Sequence, residues 1–138
     1  MIQKGEQAYV HESALPWMGS QRLSSRSQSL RWRQAYPKLR ICVPHLGFDE
    51  ITEYRNLIEK YDTLWLDTTM VLTDYFPIKE IVELKDYRLQ RIMYGSDFPN
   101  IPYAWDRELK WLAESGLPLD DLEWILNKSA CDFFNLNL

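Results

Sequence analysis

Two imidazoles and one carboxylate occupy equivalent places in this chain. His11 ends the run Gln7-Ala8-Tyr9-Val10, His45 follows Ile41-Cys42-Val43-Pro44, and Asp97 follows Ile92-Met93-Tyr94 through Gly95-Ser96. His11 and His45 are the only histidines of the chain. Imidazole nitrogen and carboxylate oxygen are ordinary donors to zinc and similar divalent metals. A metal held by them lowers the pKa of its bound water and generates hydroxide near neutral pH. A carboxylate beside it takes the water's second proton, and an imidazole polarises the substrate or shuttles a proton. Against this stands the commoner role of a histidine at a strand end, a hydrogen-bonded structural residue. Three such residues in matching places bring the chemical reading level with the structural one.

The elements that must position them alternate. Short apolar runs near 8–10, 40–43, 64–67 and 91–94 read as buried strands. Gly95 lets the chain turn after the last of them, and Pro99 prevents its continuation. Between the runs lie helical stretches. One runs from about Ser24 to Tyr36 and stops at Pro37. The next follows Asp49 as its cap, with Ile51, Tyr54, Leu57, Ile58 and Tyr61 as an apolar stripe at three- and four-residue spacing. Phe76-Pro77 opens another with Ile78, Ile81, Val82 and Leu84 inward. Arg107 to Ser115 is closed by Gly116, and a further helix turns Leu122, Ile125 and Leu126 inward. Crossover helices between successive strands impose parallel pairing with right-handed connections. The fold class is therefore α/β, with four strands in sequential order and residues at their carboxyl ends converging on one edge. Asp67 also lies near a strand end, where turn capping is the more common role of an aspartate. Glu12 to Ser24, with Pro16, Trp17 and Met18, is a long loop that either lines an apolar pocket or covers strand ends.

Composition narrows the function classes. The 138 residues allow one domain, 1–138, with a sizeable core, and 46% hydrophobic residues argue for a packed globule. A net charge of −4 speaks against a nucleic-acid binder. The local basic run Arg22, Arg26, Arg31, Arg33, Lys38 and Arg40 reads first as a solvated face. No apolar run reaches the length of a membrane span, and the first six residues lack the apolar core of a signal peptide. Cys42 and Cys131 form no disulfide framework, Cys42 reading as a small buried hydrophobe, so a reducing, cytoplasmic setting is expected.

The elements His45-Leu46-Gly47 after an apolar strand, Leu66-Asp67-Thr68, Tyr94-Gly95-Ser96-Asp97-Phe98-Pro99, and Ile125-Leu126-Asn127-Lys128-Ser129-Ala130 before Phe133-Phe134 resemble the amidohydrolase-related metal-dependent hydrolases. The branch is that of aminocarboxymuconate-semialdehyde decarboxylase and related lactone hydrolases, and the likeness runs from about Gly5 to the carboxyl terminus. The resemblance implies a TIM-type (β/α)8 barrel and puts His11, His45, Asp67 and Asp97 at strands five, six, seven and eight. It implies a divalent metal, zinc for preference, with His11 and Asp97 as ligands and Asp97 as base toward the metal-bound water. His45 would bind the metal or orient and protonate the substrate. That substrate would be a small cyclic amide, ester or lactone, or a carboxylated ring in a decarboxylase.

The family carries a His-x-His pair at strand one, and this chain has none. The chain therefore reads as a parallel (βα)4 half of such a barrel, a truncated or split enzyme. The competing reading is a non-catalytic half-barrel that self-associates or pairs with a separate amino-terminal half. In either case the strands at the two ends are unpaired edges, and the inward residues of Ile41-Cys42-Val43 and Ile92-Met93 are expected to be exposed.

Overall fold

The computed structural model describes residues 7–9, 31, 34–75 and 82–136. His11, the loop from Glu12 to Ser24, most of the helix expected from Ser24 to Tyr36 and the start of the one expected at Phe76-Pro77 lie outside these residues.

The apolar runs form one parallel sheet in sequential order, β1 (Gln7–Tyr9), β2 (Arg40–Val43), β3 (Leu64–Asp67) and β4 (Ile92–Met93). Ile41 pairs with Leu64, Cys42 with Trp65 and Asp67 with Met93. Every residue of β3 is buried, as expected of a parallel strand covered on both faces. The alternation of the strands sorts the side chains. Ile41, Val43, Leu64, Leu66 and Ile92 join the larger core with helix α1 (Ile51–Lys60), which contributes Tyr54, Leu57 and Ile58 at helical spacing. Cys42, Trp65 and Met93 face the other way and meet Phe133.

Two 3-10 turns, one further helix and a longer helical tail follow. Leu84–Asp86 and Leu89–Arg91 are single 3-10 turns leading into β4. α2 (Arg107–Glu114) follows the β4 turn. α3 (Leu119–Glu123), a π-helical segment (Trp124–Lys128) and α4 (Ser129–Phe134) run on continuously.

Three expectations are corrected. Ile41, Cys42, Val43, Ile92 and Met93 are buried, none more than 6% exposed. The inward face is covered because α4 returns across it. Phe133 stands edge-on to Trp65 at 5.3 Å between ring centres, and Arg40 and Arg91 lie over the Trp65 ring at 4.7 and 4.3 Å. Both arginines pair with Asp132, at 2.7 and 2.9 Å, and Arg40 also donates to Asn135. Leu126 is 43% exposed whereas Ile125 is sealed, because the π-helical segment widens the turn and carries Leu126 off the face that a 3.6-residue period assigns it. Asp49 does not cap α1. The N-cap position is Glu50, with no side-chain bond, because the chain enters the helix from a left-handed run rather than from an extended one.

Candidate active site at the carboxyl edge of the sheet

Each described strand after β1 is followed by a residue in the left-handed region. After β2 there are four in succession, His45 (φ 57°), Leu46 (50°), Gly47 (87°) and Phe48 (45°). After β3 it is Met70 (61°), and after β4 Asp97 (54°). For a residue with a Cβ this conformation costs about 1–2 kcal/mol, so the run at 45–48 persists only because its surroundings hold it.

What holds it is local and buried. The His45 amide donates to Asp67 Oδ1 at 3.1 Å, and the Thr69 amide donates to the same oxygen at 3.0 Å. The His45 ring meets the Thr69 carbonyl through Nδ1 at 2.8 Å. A carbonyl oxygen only accepts, so Nδ1 carries the hydrogen and the neutral ring has its lone pair on Nε2. Leu46 is sealed in the core, and the Gly47 amide closes the turn on Pro44 at 3.0 Å. Glycine is required at 47, since a Cβ there would lie 2.2 Å from Cδ2 of the buried Tyr54.

Asp67, near a strand end as expected, is 3% exposed and fastens the ends of β2 and β3 together. It also adds to the burial that pushes the Cys42 thiol well up. Gly95, after β4, closes on the same group: a Cβ at 95 would stand 2.2 Å from Thr69 Oγ1 and 3.3 Å from Asp67 Cγ. The Gly95 amide points at Thr68 Oγ1, 3.4 Å away. The turn after it is looser. Asp97 is half-buried, Asn100 donates its amide to the Asp97 carbonyl at 2.7 Å, and Phe98 is 69% exposed.

The structure thus brings His45 into contact with Asp67 and packs Gly95 against the end of β3, with Asp97 two residues further along the turn. His11 lies outside the described residues. Among the described residues no three His, Cys, Asp or Glu side chains are placed to hold a metal ion. A catalytic zinc takes three protein groups, and the described residues alone do not fit a complete metal site.

Two residues not singled out in the sequence belong to this edge. Glu108, in the first turn of α2, is 2% exposed and accepts the Met70 amide at 3.0 Å and the Leu72 amide at 3.1 Å. Burial pushes its carboxyl up to about 7 against the pull of those two amides. Tyr103 has a sealed hydroxyl with no hydrogen-bond partner among the described residues, and burial, with Glu108 next, pushes it up to about 12. An acidic residue in the first turn of a helix is ordinary dipole chemistry, so no sequence signal separates Glu108 from a solvated one. A groove of about 530 Å³ between Leu72–Asp74 and α2, lined by Arg107, Lys110 and Trp111, contains neither His45 nor Asp97.

A family model described as amidohydrolase matches residues 26–136. Two solved structures share the fold. An amidohydrolase II is 19% identical with a TM-score of 0.53, the match covering 79% of this chain and 39% of that one. A putative 2-pyrone-4,6-dicarboxylic acid hydrolase from Pseudomonas putida is 14% identical with a TM-score of 0.55, the match covering 79% of this chain and 48% of that one. The chain spans less than half the length of the solved structures it matches. No curated protein matches it significantly.

Proposed function

Because the chain belongs to the amidohydrolase family, we propose that it is the carboxyl-terminal (βα)4 portion of a TIM-type barrel hydrolase. Its carboxyl edge would supply His11, His45 and Asp97 to a divalent-metal site completed by groups outside the described residues. The observation that carries the proposal is the hold on His45. A left-handed run at a strand end, fastened by Asp67 and Thr69, is strain maintained where chemistry is expected. Asp97 would take the proton of the attacking water, and His45 would either bind the metal through the Nε2 lone pair or, once Nε2 has taken up a proton, orient the substrate and protonate the leaving group. The substrate class is a small cyclic amide, ester or lactone, with decarboxylation of a carboxylated ring as the related chemistry. The Pseudomonas neighbour, described as a hydrolase of a pyrone dicarboxylic acid, supports the lactone member of that class. The lactone-hydrolase and decarboxylase branch is the one we assign within the family.

The test is metal analysis of the purified chain, alone and mixed with a polypeptide carrying the His-x-His pair and first four strand–helix units of an amidohydrolase barrel. Substoichiometric zinc and no lactone hydrolysis alone, with both appearing in the mixture and lost in Asp97→Asn, is the expected result. No metal in either sample overturns it. A second reading, a non-catalytic half-barrel, is favoured by one observation: α4 already covers the inward sheet face, so the chain buries its own strands without a partner half. Sedimentation and metal analysis separate the two, a stable monomer that takes up no metal alone or in the mixture supporting the second.

A further inference from the structure

We propose that Glu108 is a positioning residue for His45, acting through the loop that follows β3. The inference rests on the reading of His45 as a functional group. The loop 68–73 carries the Thr69 carbonyl that fixes the His45 ring and the Thr69 amide that shares Asp67 with the His45 backbone. β3 guides the loop only at its start, where Thr68 donates its amide to the Met93 carbonyl and Asp67 holds the Thr69 amide; the pairing with β4 ends there. Met70, directly after Thr69, is left-handed at φ 61°. Its amide is held by one Glu108 oxygen and that of Leu72 by the other, so the carboxylate bridges two donors two residues apart. The preceding residue of the same helix continues the grip, Arg107 donating from Nη2 to the Thr73 carbonyl at 2.8 Å.

A carboxylate suits this place. Two oxygens on one short branch meet two amides in one direction, and neither a hydroxyl nor a carboxamide offers two acceptors of that geometry. The position is also costly for a charge. Glu108 is sealed, the Asp67 carboxylate opposes its charge, and the Arg107 guanidinium favours it less than burial disfavours it. An apolar residue would fill such a site at less cost if the loop needed nothing but packing. What the carboxylate adds is a fixed path for the backbone between Thr69 and Leu72, and through Thr69 a fixed direction for the His45 ring.

The test reads His45 directly and needs neither metal nor substrate, so its outcome is separate from that of the hydrolase proposal. The intact chain is labelled with nitrogen-15, His45 is assigned with a His11→Gln variant, and spectra are taken in mildly alkaline solution. The intact chain should give a protonated Nδ1 and a lone-pair Nε2. Glu108→Ala should mix the two tautomers and exchange the ring proton roughly tenfold faster, as for the loss of one buried hydrogen bond. Glu108→Gln, which keeps one acceptor oxygen, should fall between. Glu114→Gln, on the exposed end of the same helix, should change nothing. Unaltered His45 ring signals in a folded Glu108→Ala variant overturn the proposal. If that variant does not fold, Glu108→Gln decides: faster exchange at the Met70 and Leu72 amides with an unmoved His45 ring overturns it equally.

Discussion

The turns after β3 and β4 sit side by side at the same edge of the sheet and are built in opposite ways. After β3, Asp67, Thr68 and Thr69 are sealed, and two carboxylates, Asp67 and Glu108, each accept a pair of backbone amides. After β4, only Gly95 is tightly packed. Ser96 and Asp97 are half-buried, Phe98 to Asn100 are exposed, and the main bond within the turn is backbone to backbone. Substitutions in the first region leave buried donors without partners. Substitutions in the second meet water. Side chains of the first are therefore set by this chain's own packing, whereas the identity of Asp97 is not explained by anything it touches here. A residue type that local packing leaves undetermined is a candidate for a role with a ligand or a partner.

The contrast can be broken most forcefully at Gly47, on the buried side. Gly47→Ala puts a methyl group within contact of the sealed Tyr54 ring and forces a non-glycine residue to φ 87°. Overpacking costs about 1–3 kcal/mol and the left-handed backbone about 1–2 more, so a loss of about 4 kcal/mol is expected by chemical denaturation. A loss below about 1 kcal/mol means that the strand-end turn is not held as described.

Asp67 sharpens it. Asp67→Ala strands the His45 and Thr69 amides, and hydrogen bonds to a charged acceptor are worth about 1.5–3 kcal/mol each, so a loss of about 3 kcal/mol is expected. Because both amides use the single atom Oδ1, Asp67→Asn keeps an acceptor oxygen at that point and should cost only about 1 kcal/mol. Equal losses in the two variants show that the negative charge, not the acceptor, is what matters.

How much of this was legible in the sequence follows from the same contrast. The strand runs, their order and the stripe Ile51, Tyr54, Leu57 and Ile58 were legible because burial on a regular lattice leaves a period. His45 and Asp97 were legible as strand-end residues beside glycine. The left-handed run through Leu46 and Phe48 was not, because neither residue favours that conformation and it is imposed from Asp67, some twenty residues away. Glu108 was invisible for the same reason: its partners are backbone amides of another segment, which have no sequence signature. The cover that Phe133 gives Trp65 was missed because a terminal helix returning across a sheet is set by tertiary contact, not by local pattern.

Glu108 gives a pH test of the buried side. Its carboxyl is raised from 4.5 to about 7, burial being the main cause, so between those values the folded chain holds a proton that the unfolded chain has released. Stability should be greatest below the lower value and fall by about 2 to 3 kcal/mol as pH rises through about 7. Glu108→Gln should flatten that slope. Asp62 and Asp106, whose carboxyls are lowered by Arg88 and Lys110, lose their contribution only in stronger acid and leave the window clear. A melt that is level across the window in the intact chain contradicts the buried, reluctantly charged Glu108.

The smallest effect on stability is expected at Asp97, and it is the most telling. The side chain is half-buried and the backbone is at φ 54°, a conformation that asparagine tolerates as well as aspartate. Asp97→Asn preserves size, keeps one carbonyl oxygen and removes only the charge. On the packing described here it should change the unfolding free energy by no more than about 0.5 kcal/mol, the range of a substitution away from any buried network. Yet the carboxylate is the group that the hydrolase reading uses as metal ligand and base, and an amide does neither. The same variant should therefore abolish zinc uptake and hydrolysis by the mixture of this chain with an amino-terminal half-barrel. A residue that matters to the assembled site and not to the fold is one whose type was set by chemistry. Should Asp97→Asn instead destabilise the chain by 2 kcal/mol or more, the β4 turn would be structural like its neighbour. The division between the two turns would then disappear, and with it the assignment of Asp97 to the chemistry.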